Sequence, residues 1–240
     1  MKRSLITLQF SSTKEYQKNL DLLIRLIKES PDESVILAPE VCLTDFDYDN
    51  FDAAADFSKT ALDALRPLSQ KRIIVLTLVE KDEKGNFFNV AKVLHKESVL
   101  YEQAKNRLFK LGDEHKYFTA GKEGRFPLFE IEGIRFGLLI CFELRFKRYW
   151  QDLEGADIIL VPSRWGKVRS GHFSVLSQAL AIMNQCYVMA ADASNEECTS
   201  MSAIISPFGK TERNGNNFCL SVPYNKQEIR KMRRYLDVGI

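Results

Sequence analysis

The 240-residue chain is 45% hydrophobic and 28% charged, long enough to bury one substantial core and short for two, so residues 1–240 are expected to form one domain. Its 34 lysines and arginines nearly balance 32 aspartates and glutamates without gathering into a basic stripe, which argues against a nucleic-acid partner. The start MKRSLITLQFSSTKEY turns polar too soon for a signal-peptide core, and no apolar run approaches the roughly 18 residues of a membrane helix; a soluble, cytoplasmic protein without a membrane partner is expected.

Leu5 to Phe10 alternates like a strand, and Ser12 with Glu15 reads as a capping box opening a helix whose Tyr16, Leu20, Leu23 and Ile27 share one face. Val35 to Ala38 reads as a short buried strand ending at Pro39-Glu40. After an irregular acidic loop, Thr60 to Leu68 looks helical and Arg72 to Val79 is another buried strand. Gly85-Asn86 then introduces hairpins: Phe87 to His95 with Glu97 to Glu102, and Phe126 to Ile131 with Ile134 to Ile140. A helix at 147–153, a strand at 158–161, a helix at 170–183 and a strand at 187–191 follow. Two short strands, 202–205 and 218–222, flank the Pro207-Phe208-Gly209-Lys210 turn, and the basic tail 226–236 is predicted helical. Buried strands alternating with helices imply a layered α/β architecture. In such sheets ligands lie beyond the strand C-termini, where Glu40, Cys141 and Ser163-Arg164-Trp165 fall.

The cysteines at 42, 141, 186, 198 and 219 form no C-x-x-C pair and have no histidine cluster, which disfavours a disulfide framework and a structural metal. Cys141 ends the apolar run of GLLICFELRF, where a nucleophile elbow would present its sulfur and aim the Phe142 N–H at a developing oxyanion. The competing reading is a packed cysteine beside a surface Glu143–Arg145 pair. A thiol needs a base or a nearby cation, and His95, His115 and His172 lie in no segment that looks like a histidine loop. Glu40, directly after a buried strand, is partly desolvated as a base should be, and Lys105 stands between a strand and a polar loop with Leu108 and Phe109 as anchors.

Taken together, LAPEVCLTDF (37–46), KNRLF (105–109) and GLLICFELRF (137–146) resemble, in order and separation, the three signature segments of the nitrilase superfamily of carbon–nitrogen hydrolases. The resemblance extends through DEHKYFTAG (113–121), RWGKVRSGHF (164–173) and ALAIMNQCYVMAADAS (179–194), so it covers nearly the whole chain. It implies Glu40 as general base, Lys105 as the cation beside thiolate and oxyanion, Cys141 as nucleophile and Glu114 as a positioner of substrate. It also implies a four-layer α-β-β-α sandwich, no metal or cofactor, and a homodimer or higher homo-oligomer. The tail 225–240, through Ile229, Met232 and Leu236, is the expected contact with a second copy.

The sequence is most similar to the ω-amidase branch, which hydrolyses the terminal amide of 2-oxo acids, and Trp165 and Arg169 fall where that branch has a tryptophan and an arginine. An arginine there suits a substrate carboxylate because its planar fork engages both oxygens. The expected activity is therefore hydrolysis of a small amide to a carboxylate and ammonia through a thioester on Cys141, with Phe142 as an oxyanion donor. N-carbamoyl compounds, aliphatic amides and nitriles need the same triad, and a non-catalytic binding protein of the same fold is the alternative of another class. The chain departs from the superfamily pattern at Arg107, at Phe142-Glu143, at Lys147-Arg148 and at Leu180 with Met183.

Overall fold

The computed structural model describes residues 3–122 and 124–240. In chain order it contains β1 (Ser4–Leu8), α1 (Tyr16–Glu29), β2 (Ser34–Leu37), α2 (Phe51–Leu65), β3 (Ile73–Lys81), β4 (Phe87–His95), β5 (Ser98–Ala104) and the single turn α3 (Glu114–Tyr117). The second half contains β6 (Phe129–Ile131), β7 (Ile134–Leu138), α4 (Lys147–Asp152), β8 (Ile158–Ser163), α5 (Ser170–Met183), β9 (Tyr187–Asp192), β10 (Ala203–Ile205), β11 (Thr211–Arg213), β12 (Cys219–Pro223) and α6 (Lys226–Tyr235).

The strands form two six-stranded sheets, ordered β12-β1-β2-β3-β4-β5 and β11-β10-β9-β8-β7-β6. Each has three parallel strands, β1-β2-β3 in one and β7-β8-β9 in the other, extended by antiparallel neighbours. The two-residue period of a strand decides the layering. Leu5, Val35, Leu37, Ile73 and Val75 point at the second sheet and share its core, whereas Ile6, Leu8, Ile36, Ile74 and Leu76 point outward against α1 and α2. On the far side, Phe173, Leu180 and Ala181 of α5 and Tyr149 of α4 close the stack. The result is the α-β-β-α sandwich.

Four local expectations are corrected. The Ser12–Glu15 capping box does not form: the Ser12 hydroxyl donates to the Cys42 carbonyl at 2.9 Å, and α1 begins at Tyr16 with no side-chain cap. The second helix starts at Phe51, not Thr60, because Phe51, Ala54 and Ala55 bury against Val41, Val79 and Phe118. β11 was not expected; it pairs with β10 across the 207–210 turn, while β12 crosses to the other sheet beside β1. In α6, Ile229 and Met232 are 1% and 5% exposed within this chain, so of the three residues expected to meet a second copy only Leu236 is exposed. Among the described residues no helix is long and apolar enough to cross a membrane.

Candidate active site

Glu40 follows β2, and the backbone there is held from both sheets. Its N–H donates to the Ser163 carbonyl at 3.2 Å, and the Val41 N–H donates to Thr77 Oγ1 at 2.6 Å. Val41 sits at φ 41°, which a β-branched residue adopts only where its surroundings force it. The Glu40 side chain is fully buried, and three donors hold its carboxylate, leaving Oε2 room for one more. Oε1 accepts from Lys105 Nζ at 2.7 Å and from Asn89 Nδ2 at 2.8 Å, and Oε2 accepts from the Arg164 N–H at 3.2 Å.

Lys105 stands one residue beyond β5. Its N–H donates to the Asn89 carbonyl at 2.7 Å and its carbonyl accepts from the Gly121 N–H at 2.8 Å. A Cβ at Gly121 would lie 2.6 Å from the Ala104 carbonyl oxygen, so only glycine permits this approach. The ammonium spends a second donor on Glu114 Oε1 at 2.8 Å, while Glu114 Oε2 accepts from the Phe109 N–H at 3.0 Å. Burial would push the Lys105 ammonium down, but the Glu40 and Glu114 carboxylates outweigh it and hold Lys105 above its usual range. Burial pushes Glu114 up, opposed by Lys105 and reinforced by Glu40. The ammonium has three donors and these two carboxylates take two of them.

Cys141 opens a 3-10 turn, Cys141–Arg145, three residues past the end of β7, and it adopts φ 48°. A non-glycine residue held in the left-handed region at a sharp strand-to-turn corner is the geometry of a nucleophile elbow. Burial and then the Glu40 charge raise the Cys141 thiol well above its ordinary range, with Lys105 and the Arg164 N–H acting the other way. At rest the group is therefore a thiol with a carboxylate and an ammonium close enough to act on its charge.

Glu143 is not the surface residue of the competing reading. It is fully buried, and its carboxylate accepts from the Ile140 N–H at 2.7 Å, the Asn106 N–H at 2.6 Å and the Arg107 N–H at 3.3 Å. One carboxylate thus ties the turn that carries Cys141 to the loop that carries Lys105. Arg164 is tied in the same manner: Nε and Nη2 donate to Asp45 at 2.5 and 2.7 Å, which holds its backbone N–H on Glu40. Asn89, Glu143 and the Asp45–Arg164 pair were missed from sequence; an asparagine inside the apolar run FFNVAKVL was the one available signal.

These groups meet at a small, half-open cavity. Cys141 and Glu114 lie in its wall, as do the expected Phe142, Trp165 and Arg169, while Glu40 and Lys105 do not line it and join it through the Lys105–Glu114 pair. Phe142 packs 5.1 Å from Phe109, ring centroid to ring centroid. The Trp165 indole N–H donates to the Arg169 carbonyl at 2.9 Å, and the Trp165 backbone N–H donates to the buried Asp192 carboxylate at 2.7 Å. None of the three histidines lines the cavity; His172 is exposed and bonded to Arg145. Among the described residues no group of three or more His, Cys, Asp or Glu side chains is placed to hold a metal ion.

The sequence that folds into this cysteine turn and its buried Glu–Lys–Glu cluster matches a carbon-nitrogen hydrolase family model over residues 7–217. The chain belongs to the carbon-nitrogen hydrolase family. It is 31% identical to the 2-oxoglutaramate amidase of Bacillus subtilis over 78% of this chain and 76% of that one. It is 30% identical to a deaminated glutathione amidase of Escherichia coli over 85% of this chain and 82% of that one. The fold superposes on the crystal structure of Saccharomyces cerevisiae Nit3, a member of branch 10 of the nitrilase superfamily, with a TM-score of 0.86 and 21% identity, covering 100% of this chain and 96% of that one. This carbon-nitrogen hydrolase is accordingly an enzyme acting on amides, and its sandwich is that of the nitrilase superfamily.

Proposed function

We propose that the enzyme hydrolyses the terminal amide of a small acid, a 2-oxo acid amide of the 2-oxoglutaramate type, with Cys141 as nucleophile, Glu40 as base and Lys105 as oxyanion partner. The observation that carries this reading is the placement of Cys141 in the wall of the cavity, within reach of the charges of the Glu40–Lys105 ion pair. As the sulfur attacks the amide carbon, its proton passes to Glu40. The remaining Lys105 donor and the Phe142 N–H receive the developing oxyanion. Glu40 returns the proton to the departing nitrogen, ammonia leaves, and the acyl group stays on Cys141 as a thioester. Water, deprotonated by Glu40, then attacks the thioester carbon, and the thiol is restored as the acid departs.

The substrate class rests on the cavity. The space open to the centre of a water-sized molecule is only about 30 Å³, which suits a short acyl chain. Arg169 lies 5.1 Å from the Phe109 ring centroid, and Gly166, where a Cβ would come 2.7 Å from Arg169 Nη2, leaves room for its guanidinium. Both carboxylates beside the cavity are occupied, Glu40 by Lys105, Asn89 and the Arg164 N–H, and Glu114 by Lys105 and the Phe109 N–H. A site with a free guanidinium and no free carboxylate favours an acid over an α-amino acid, and so 2-oxoglutaramate over glutamine.

The test is ammonia release by the purified enzyme and its Cys141→Ala variant from 2-oxoglutaramate, glutamine, aliphatic amides, carbamoyl amines and nitriles. Activity on 2-oxoglutaramate that vanishes in the variant supports the reading; full activity in the variant ends it, and preference for a carbamoyl or nitrile substrate relocates the enzyme within its superfamily. The five free cysteines fit a reducing compartment, and we place the enzyme in the cytoplasm. Val175, Ile182 and Met183, exposed along α5, support pairing of two copies, and light scattering that finds only monomer removes that pairing.

A further inference from the structure

Three arginines line the cavity, and they differ in what already holds them. Arg164 is spent on Asp45, on Glu197 at 2.5 Å and on Cys198 Sγ at 2.7 Å. Arg145 and Arg169 are half-buried and, among the described residues, form no ion pair with a carboxylate. Arg169 lies against Phe109. Arg145 lies over Trp165, 4.9 Å from the ring centroid. An aromatic plate holds a guanidinium by its face and leaves the in-plane N–H donors available.

Arg145 has one further restraint. Its Nη2 is 2.9 Å from Nδ1 of His172, in the first turn of α5. A guanidinium only donates, so Nδ1 accepts and the neutral ring carries its proton on Nε2. The contact uses one of five donors, fixes the plane of the fork and leaves its charge uncompensated. Arg145 also ends the same 3-10 turn that Cys141 begins, so nucleophile and guanidinium move as one unit.

We propose that Arg145 is a second substrate-reading residue, gripping the acid's carboxylate together with Arg169, and that His172 is the residue that positions it. This rests on the amide-hydrolase reading above, with its anionic substrate. Two guanidiniums on separate aromatic plates present donors to one carboxylate, which explains why, among the described residues, neither has a carboxylate of its own in a small, half-enclosed cavity. Trp165 thereby acquires a role: its indole supports Arg145 and its N–H fixes the Arg169 backbone.

The experiment compares kcat/KM for 2-oxoglutaramate with kcat/KM for an uncharged amide of the same chain length, and reads the ratio. Arg145→Gln lowers that ratio about 10- to 100-fold, chiefly through KM, as expected for loss of a charge-assisted fork. Arg145→Lys, which keeps the charge and loses the planar fork, falls between and serves if the glutamine variant does not fold. His172→Ala lowers the ratio about 3- to 10-fold, and His172→Asn, whose Oδ1 stands near the position of Nδ1, restores it. A merely structural histidine would not be rescued in that ratio. Calorimetric titration of 2-oxoglutaramate into Cys141→Ala and into the Cys141→Ala, Arg145→Gln double variant needs no turnover: weaker binding to the double variant supports the proposal, and equal binding overturns it whatever becomes of the catalytic reading. A wild-type enzyme that turns over both amides equally overturns the proposal and the anionic-substrate reading together, while a preference for the anion that survives Arg145→Gln overturns the proposal alone.

Discussion

The floor and the rim of the cavity are built on opposite principles. On the floor, Glu40, Lys105, Glu114 and Glu143 are buried, and each carboxylate oxygen has a donor within 3.2 Å. At the rim, Arg145 and Arg169 are half-buried and, among the described residues, without a carboxylate, supported by the aromatic faces of Trp165 and Phe109. A fully satisfied network in a low-dielectric interior is rigid and intolerant of change, whereas unpaired cations at a solvent boundary await a ligand. On the proposed reading the floor sets the reaction and the rim selects the molecule that undergoes it.

The most damaging single change should be the one that unbalances the floor. Lys105→Met leaves Glu40 and Glu114 facing each other in the interior without their shared cation, which costs about 3–5 kcal/mol of folding stability. The same change removes the proposed oxyanion donor, so ammonia release should fall by about 10³-fold or more. Urea titration and steady-state kinetics measure both. If Lys105→Met were as stable as wild type, the cluster would not be the tightly coupled unit that its distances describe.

Glu40→Gln separates reaction from architecture. A glutamine oxygen still accepts from Lys105, but its amide then turns a donor toward the Arg164 N–H, so stability falls only by about 1–3 kcal/mol. Turnover loses its proposed base, an expected drop of about 10²- to 10⁴-fold, with little change in affinity for the acid. A Glu40→Gln enzyme that turned over normally would move the proton-accepting role elsewhere.

The contrast between floor and rim also explains what was legible in the sequence. Strand periodicity, the position of Glu40 after β2 and the strand-end Cys141 are local patterns, and the three ordered segments made the resemblance specific. The floor's supports are not local. Glu143 looks like half of a solvated pair because its partners Asn106 and Arg107 are 37 and 36 residues away. The Ser12 hydroxyl was claimed by a carbonyl 30 residues distant, which no capping pattern foretells. The apolar stripe of α6 showed that one face is covered; only the fold shows that its own sheet covers it. At the rim, the His172–Arg145 contact spans 27 residues and joins two segments that read separately as a helix start and a surface charge.

The smallest effect concerns the floor's charge. Burial, offset by its three backbone donors, pushes Glu143 up from an ordinary 4.5 to about 7, and burial pushes Asp192 up from 3.8 to about 7. Between those values the folded state binds protons that the unfolded chain has released, so stability falls as pH rises from about 5 to 7 and levels off above. Glu132, held down to about 2 by Lys96 and His95, acts in the opposite sense, but its stabilisation is lost only as pH falls below 4.5, outside that window. Glu143→Gln removes one titrating group while turning a donor toward the Ile140 N–H, so it is less stable than wild type throughout. Its deficit should be larger at pH 5 than at pH 7.5, because only the wild type must bury a growing charge over that interval. Urea denaturation at the two pH values measures the difference, and a deficit that does not change with pH would show that Glu143 keeps its charge in the floor at no cost, its three N–H donors having fully replaced water.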